Sequence, residues 1–149
     1  MQALNLPEYE FRFRTENGKT MIFDAIRKKF LVLSPEEWVR QNFISFLQKD
    51  KGYPGSLLKQ EAPLKYNTLK KRADILAYDL QGIPALMVEC KAPGVKISQD
   101  VFDQIARYNM VFRVRYLIVT NGLDHYCCMM DYTQGTYQFL PGIPDFSQL

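Results

Sequence analysis

Arg72-Ala-Asp-Ile-Leu-Ala-Tyr-Asp79, followed by Pro84-Ala-Leu-Met-Val-Glu-Cys-Lys91, decides the fold. Both halves are short, rich in branched apolar residues and bounded by turn formers: Asp79, Gln81-Gly82 and Pro84 between them, Pro93-Gly94 after them. They predict a strand hairpin with Asp74, Glu89 and Lys91 in apolar surroundings. Side chains alternate faces along a strand, so Glu89 and Lys91 share one side and Val88 and Cys90 the other. Asp74, on the neighbouring strand, can face them. Burying charge is costly unless the charge is paired or binds a metal. Two readings are open at this point. One is a structural ion pair of Lys91 with Glu89 or Asp74. The other is a hard-oxygen site of two carboxylates suited to magnesium.

The 149 residues suffice for one domain with a proper core. We divide it into an N-terminal β extension over 1–33, a core over 34–130 and a C-terminal hairpin and tail over 131–149. No apolar run approaches the ~20 residues that span a bilayer, and no basic, then apolar, leader opens the chain. The expectation is a cytoplasmic protein without membrane contact. Cys90, Cys127 and Cys128 are odd in number and form no Cys-x-x-Cys pair, which fits a reducing compartment. His125 is the only histidine, which excludes a histidine-built zinc site, and we read it as an ordinary strand residue.

A net charge of +3 is too small to argue from, but its distribution is not even. Between Lys49 and Arg72 lie Lys49, Lys51, Lys59, Lys65, Lys70, Lys71 and Arg72, against Asp50 and Glu61. This positive stretch runs into Asp74 and suits a polyanion held by its phosphates. A solvated loop and strand face is the plain alternative.

Upstream, residues 1–8 read as a loose leader. Tyr9–Arg14 alternates as a strand, Asn17-Gly18 is a hairpin turn, Lys19–Asp24 returns, and Ala25–Leu33 ends in a further short strand beside the core. Ser34-Pro-Glu-Glu37 is a helix start with the capping-box pattern. The helix is expected to run to about Gln48 with Val39, Phe43, Phe46 and Leu47 on one face. Glu36 is expected near the middle of that face and Glu37 at its edge, with Arg40 one turn beyond Glu36. Ser56–Tyr66 reads as a strand with a kink or edge at Pro63, and Asn67–Lys71 as a turn. Ser98 caps a second helix whose apolar spacing selects Val101, Ile105, Tyr108 and Phe112, with Gln104 and Tyr108 four apart. Tyr116–Thr120, His125–Met130 and Tyr137–Phe139 complete the strands.

The order Asp74 … Glu89-Cys90-Lys91 resembles the PD-(D/E)XK nuclease superfamily, with Ala73 where the motif's proline stands. Gln104-x-x-x-Tyr108, on the helix after the hairpin, resembles the motif of its branch containing RecB-type nucleases. The whole order of elements, from about Ile22 to Met130, is similar to the N-terminal nuclease domain of the type I restriction enzyme R subunit in its stand-alone form. The resemblance implies an α/β fold with a mixed central sheet flanked by helices, plus an extra N-terminal β-hairpin. It implies magnesium-dependent DNA cleavage, with manganese able to substitute. Asp74, Glu89 and the Cys90 carbonyl would hold the metal, and Glu36 would add a further acid to the catalytic set. Lys91 would orient the attacking water and offset phosphate charge, since an ammonium is a poor base at neutral pH. Gln104, Tyr108, Lys70, Lys71, Arg72 and Arg40 would hold DNA. Partners would be DNA and either a second copy or a separate motor or specificity protein, because no Gly-x-x-x-x-Gly-Lys-Ser/Thr loop is present. The alternative is a nucleic-acid-binding module of the same fold that does not cut, or cuts only with a partner. A weaker third is a protein-interaction domain built on exposed aromatic residues.

Overall fold

The computed structural model describes residues 1–149. The elements are β1 (Phe13–Glu16), β2 (Lys19–Asp24), β3 (Lys29–Val32), α1 (Pro35–Lys49), β4 (Leu58–Tyr66), β5 (Leu69–Tyr78), β6 (Pro84–Cys90), α2 (Gln99–Met110), β7 (Tyr116–Thr120), β8 (His125–Asp131) and β9 (Thr136–Phe139). β1–β3 form a small antiparallel sheet, and β4–β9 a six-stranded sheet in sequence order. Only β6 and β7 run parallel, because α2 carries the chain from the end of one strand back to the start of the other. The architecture is the mixed sheet flanked by helices that the sequence predicts.

Alternation along the strands builds a core on each face. Ile75, Ala77, Leu86, Val88, Cys90 and Ile118 point toward α1, where Val39, Phe43 and Leu47 meet them. Leu76, Met87, Leu117, Val119 and Cys128 point toward Phe102 and Ala106 of α2. Tyr116–Thr120 is buried throughout, as a strand covered on both faces must be. The buried stripe of α2 is Phe102, Ala106 and Asn109, which corrects the expected Val101–Ile105–Tyr108–Phe112 face and turns Tyr108 outward. Phe102 wins the inward place because Tyr126, Tyr137 and Phe139 ring it.

Two terminal expectations are also corrected. The leader is tied down: the Trp38 indole donates to the Gln2 carbonyl, and the Asn5 amide donates to Gly122. Leu4 lies against Gly122, whose φ of +85° and lack of a side chain leave it room. Strand structure begins at Phe13, not Tyr9, because Phe11 packs edge-on against Trp38 instead of joining a ladder. The Asn17-Gly18 turn has both residues at positive φ, as its sequence requires. His125 is structural, its ring held between the Thr120 hydroxyl and the Asn5 carbonyl.

The β4–β5 hairpin decides the shape of the site. Its turn is only Asn67-Thr68, so Lys70 and Lys71 lie on β5 and not in a loop. β5 pairs with β6 from Ile75 to Tyr78 alone. Beyond that, Ala62–Tyr66 and Leu69–Ala73 pair only with each other and form a two-stranded ribbon past the sheet. At the ribbon's root the ladder skips a pair: Gln60 lies opposite Ile75 and Ala62 opposite Ala73, with Glu61 at φ +51° between. Strict alternation breaks there, so Asp74 and Ile75 both address α1. Such irregularities re-aim side chains.

Candidate active site

Three elements and the residue that follows one of them supply the site. Asp74 comes from the root of β5, Glu89 and Cys90 from the end of β6, Lys91 from the next residue, and Glu36, Glu37 and Arg40 from the first turns of α1. The start of α1 is fixed by Ser34, whose hydroxyl accepts from the Glu37 amide. Only half of the capping box forms. The Glu37 side chain is buried and turns to Arg40 and Gln41, while Glu36 stands half exposed. This reverses the expected inward Glu36 and peripheral Glu37. The reason is that α1 is covered twice, by the large sheet and by the N-terminal sheet, so its polar flank is interior too.

Arg40 is the centre of the α1 side. Its guanidinium reaches Glu37 at 2.6 Å, Asp74 at 3.0 Å, Glu61 at 3.0 Å and Glu36 at 3.3 Å. Burial opposes its charge, but Glu37 and Asp74 outweigh burial and hold it protonated. The second oxygen of Asp74 accepts the Cys90 amide at 2.8 Å, which ties β5 to β6 where their ladder has ended. Behind Arg40 the network continues inward. Gln41 bridges Glu37, Asp24 and Gln60, and Arg27 binds the fully buried Asp24 at 2.7 Å. Burial would raise the Asp24 carboxyl, yet the hydrogen bonds from Arg27 and Gln41 bring it below its usual range.

Glu89 has a different partner. It is 8% exposed and forms an ion pair with Lys71, whose ammonium also sits over the Tyr108 ring. The Lys71 ammonium meets Glu89 Oε1 directly. Burial, and then the nearby Asp74 charge, push the Glu89 carboxyl above its ordinary range against the pull of Lys71 and Lys91. Glu36 is raised as well, by burial and by Asp74. Both shifts have the sign expected where negative charge is in excess.

Lys91 is in neither pair. Asp74 is matched by Arg40 and Glu89 by Lys71, while Lys91 forms no ion pair and is held by its backbone amide donating to the Thr120 carbonyl at 2.8 Å. Its charge still bears on Glu89 and Glu36. The structural-pair reading therefore fails for Lys91 and holds for Lys71. Gln104 is exposed and makes no side-chain hydrogen bond. Tyr108 is exposed over the ribbon root, its hydroxyl 3.4 Å from the Lys70 carbonyl. Lys70 and Arg72 are exposed, whereas Lys71 points inward to Glu89, away from the approach where the sequence puts it.

The sequence reading missed Asp24, Arg27, Glu37, Gln41, Gln60, Glu61 and Lys71 as members of this network. Glu37 had a local explanation as a cap, and Lys71 was one of a basic run. No three acidic, histidine or cysteine side chains cluster tightly enough to hold an ion unaided. Two carboxylates with a backbone carbonyl and water are nonetheless a usual magnesium shell. The charge balance fits a cation: Glu36, Glu37, Glu61, Asp74 and Glu89 face Arg40, Lys71 and Lys91, which leaves two negative charges uncompensated. An apolar cleft lined by Ile97, Phe102, Tyr126 and Phe139 lies elsewhere and holds no carboxylate or cation.

The family model described as type I restriction enzyme R protein N terminus matches residues 35–144. The chain is also similar to a solved fragment described as an HsdR subunit of a type I restriction enzyme from Vibrio vulnificus YJ016. The identity is 22%, the TM-score 0.55, and the match covers 78% of this chain. It covers 24% of that protein, so this chain spans about a quarter of its length. The comparison with curated proteins finds no match.

Proposed function

The chain belongs to the family of the type I restriction enzyme R protein N terminus, and from that premise we propose that it is a metal-dependent endonuclease hydrolysing DNA phosphodiester bonds. The observation that carries the proposal is Lys91. An Asp–Glu–x–Lys set spent on stability would pair its lysine with its acids, and here Arg40 and Lys71 fill those roles while Lys91 is left unpaired beside them. Asp74, Glu89 and the Cys90 carbonyl would hold magnesium, or manganese in its place. Bound metal lowers the pKa of its water and offsets charge on the phosphoryl group. Lys91 stabilises the charge that develops on the phosphate and orients the attacking water. Arg40 is a positioning residue: through Asp74 it fixes the carboxylate against β6. Glu36, half exposed and raised, serves as the outer acid of the set. DNA approaches over Gln104, Tyr108, Lys70 and Arg72.

The test is incubation of supercoiled plasmid with magnesium or manganese, with wild type beside Lys91→Ala. Nicking by wild type alone supports the reading. A second reading has its own observation: each carboxylate already has an internal cation, as in a module that binds DNA and cuts only with a partner. DNA binding without nicking by wild type under any of these conditions selects that reading. On either reading a second copy or a separate motor or specificity protein is the partner to look for.

A further inference from the structure

The ribbon beyond the sheet carries two unlike faces. Ala62, Leu64 and Ala73 face α2 and belong to, or pack on, the core there, and Lys71 joins Glu89 on that side. The opposite face consists of Pro63, Lys65, Lys70 and Arg72, all exposed, with no acid among them. Together with Leu64 and Lys71 they line one concavity. Lys65 and Lys70 are directly opposite each other in the ladder. Like charges at opposed positions destabilise a strand pair, so this pairing works against the fold it sits in. At the end of the ribbon Tyr66 is opposed to Leu69, and these side chains are 48% and 42% exposed. A two-stranded ribbon on its own is marginal, and this one is braced along its length by Tyr108 at Lys70 and by the Lys71–Glu89 pair.

We infer that the β4–β5 ribbon enters the major groove of duplex DNA with the face of Lys65, Lys70 and Arg72 turned to the phosphates. The proposal rests on the reading of the chain as acting on DNA and assigns the surface that would meet the duplex. Three features of the ribbon carry it. The first is size: the major groove, about 12 Å wide, admits a two-stranded ribbon. The second is charge: a face of cations alone, including one opposed pair, is balanced by a polyanion and by nothing inside the protein. The third is direction. Lys70 precedes Asp74 by four residues on one strand, which is about 13 Å at ~3.3 Å per residue, or about four steps of the duplex at ~3.4 Å each. The cationic face therefore leads along one strand to the carboxylate that would meet the scissile phosphate.

The test uses fluorescence anisotropy with a labelled 30-base-pair duplex and the matching single strand, in EDTA, over a series of salt concentrations. Lys65→Glu turns the opposed like pair into an opposite pair. It is expected to leave the thermal midpoint unchanged or raised, while duplex affinity at low salt drops by tenfold or more. Lys70→Gln is expected to reduce the salt slope by about one unit. The single strand is expected to bind wild type more weakly than the duplex does. Lys65→Glu and Lys70→Gln with wild-type affinity and slope overturn the ribbon assignment, and so does equal or tighter binding of the single strand. If those variants bind as wild type while wild type nicks plasmid, the ribbon fails and the nuclease reading stands. If binding follows the ribbon variants but nothing nicks, the ribbon stands and the nuclease reading fails. If wild type binds no DNA, both fail.

Discussion

Lys91→Ala and Lys71→Met remove the same charge from the same site, and the structure predicts opposite consequences. Lys91 forms no ion pair, and its one backbone hydrogen bond, to Thr120, survives in alanine. A substitution of that kind changes stability by no more than about 0.5 kcal/mol, or roughly 1–2 °C in a domain of this length. The chemical step is expected to fall by about 10²–10⁴, as when a positioned charge-stabilising group is lost, which is about 3–5 kcal/mol of barrier. Lys71 is the reverse case. Its side chain is 13% exposed and faces a Glu89 side chain 11% exposed. Removing one partner of a buried pair costs about 3–5 kcal/mol, so Lys71→Met is expected to lower the thermal midpoint by about 6 °C or more. The assays are thermal melting without metal, and plasmid nicking with magnesium at a temperature where both variants are folded. Lys91→Arg is not expected to restore activity, because a planar fork does not replace a compact ammonium. A Lys91→Ala protein that melts well below wild type while its folded fraction still nicks would refute the reasoning. Lys91 would then be structural, and the catalytic assignment of the hairpin would fail with it.

Asp74→Ala and Glu89→Ala are each expected to weaken magnesium binding in calorimetry, since each removes a charged ligand; unchanged affinity in both would dismiss the metal site. Magnesium affinity in wild type is expected to begin falling, on acidification, above pH 4.5, because Glu89 binds metal only when ionised and burial raises its carboxyl above that value; an affinity flat down to pH 4.5 would contradict this. Asp24→Ala is expected to cost about 3–5 kcal/mol at pH 7, because it removes the buried carboxylate that accepts from both Arg27 and Gln41. The folded carboxyl titrates below 3.8, so its contribution is present above the unfolded value and lost as pH falls through the folded one. The gap between wild type and Asp24→Ala in denaturant melts should therefore close below pH 3.8, and a gap independent of pH would refute the pairing.

The fold was legible because its signals are local. Ser34 and Ser98 cap their helices through hydroxyls as their positions suggest, Asn17-Gly18 turns, and five consecutive buried residues mark β7. Asp74, Glu89 and Lys91 stood out because charge is rare in apolar strands. What stayed hidden depends on distance in the chain. Nothing local links Lys71 to Glu89, eighteen residues on, or Arg40 to Asp74. Glu36 and Glu37 were ranked by one helix face, a rule that assumes one covered side, and α1 has two. Tyr108 was assigned to the buried stripe of α2 because tyrosine and valine count alike in an apolar period, although the ring packs on a lysine.

Arg40 shows why the N-terminal sheet concerns the site. A buried guanidinium among Glu36, Glu37, Glu61 and Asp74 is a poor way to gain stability, since the cost of desolvating charge offsets most of the attraction. It is a good way to fix a position. Glu37 and Gln41 hold the network from one side, and their own partners, Arg27 and Asp24, belong to the turn after β2 and to its last residue. The small sheet is thus bonded through α1 to the carboxylate at the root of the ribbon. Beside the fully buried Ile22 of β2 the sheet presents a fully buried aspartate, which covering α1 alone does not require. Asp24→Ala is accordingly expected to disturb magnesium binding as well as stability, although Asp24 meets the site only through Gln41, Glu37 and Arg40. Calorimetry at a temperature where the variant is fully folded separates the two effects. Wild-type magnesium affinity in a destabilised Asp24→Ala would reduce the network to a structural one.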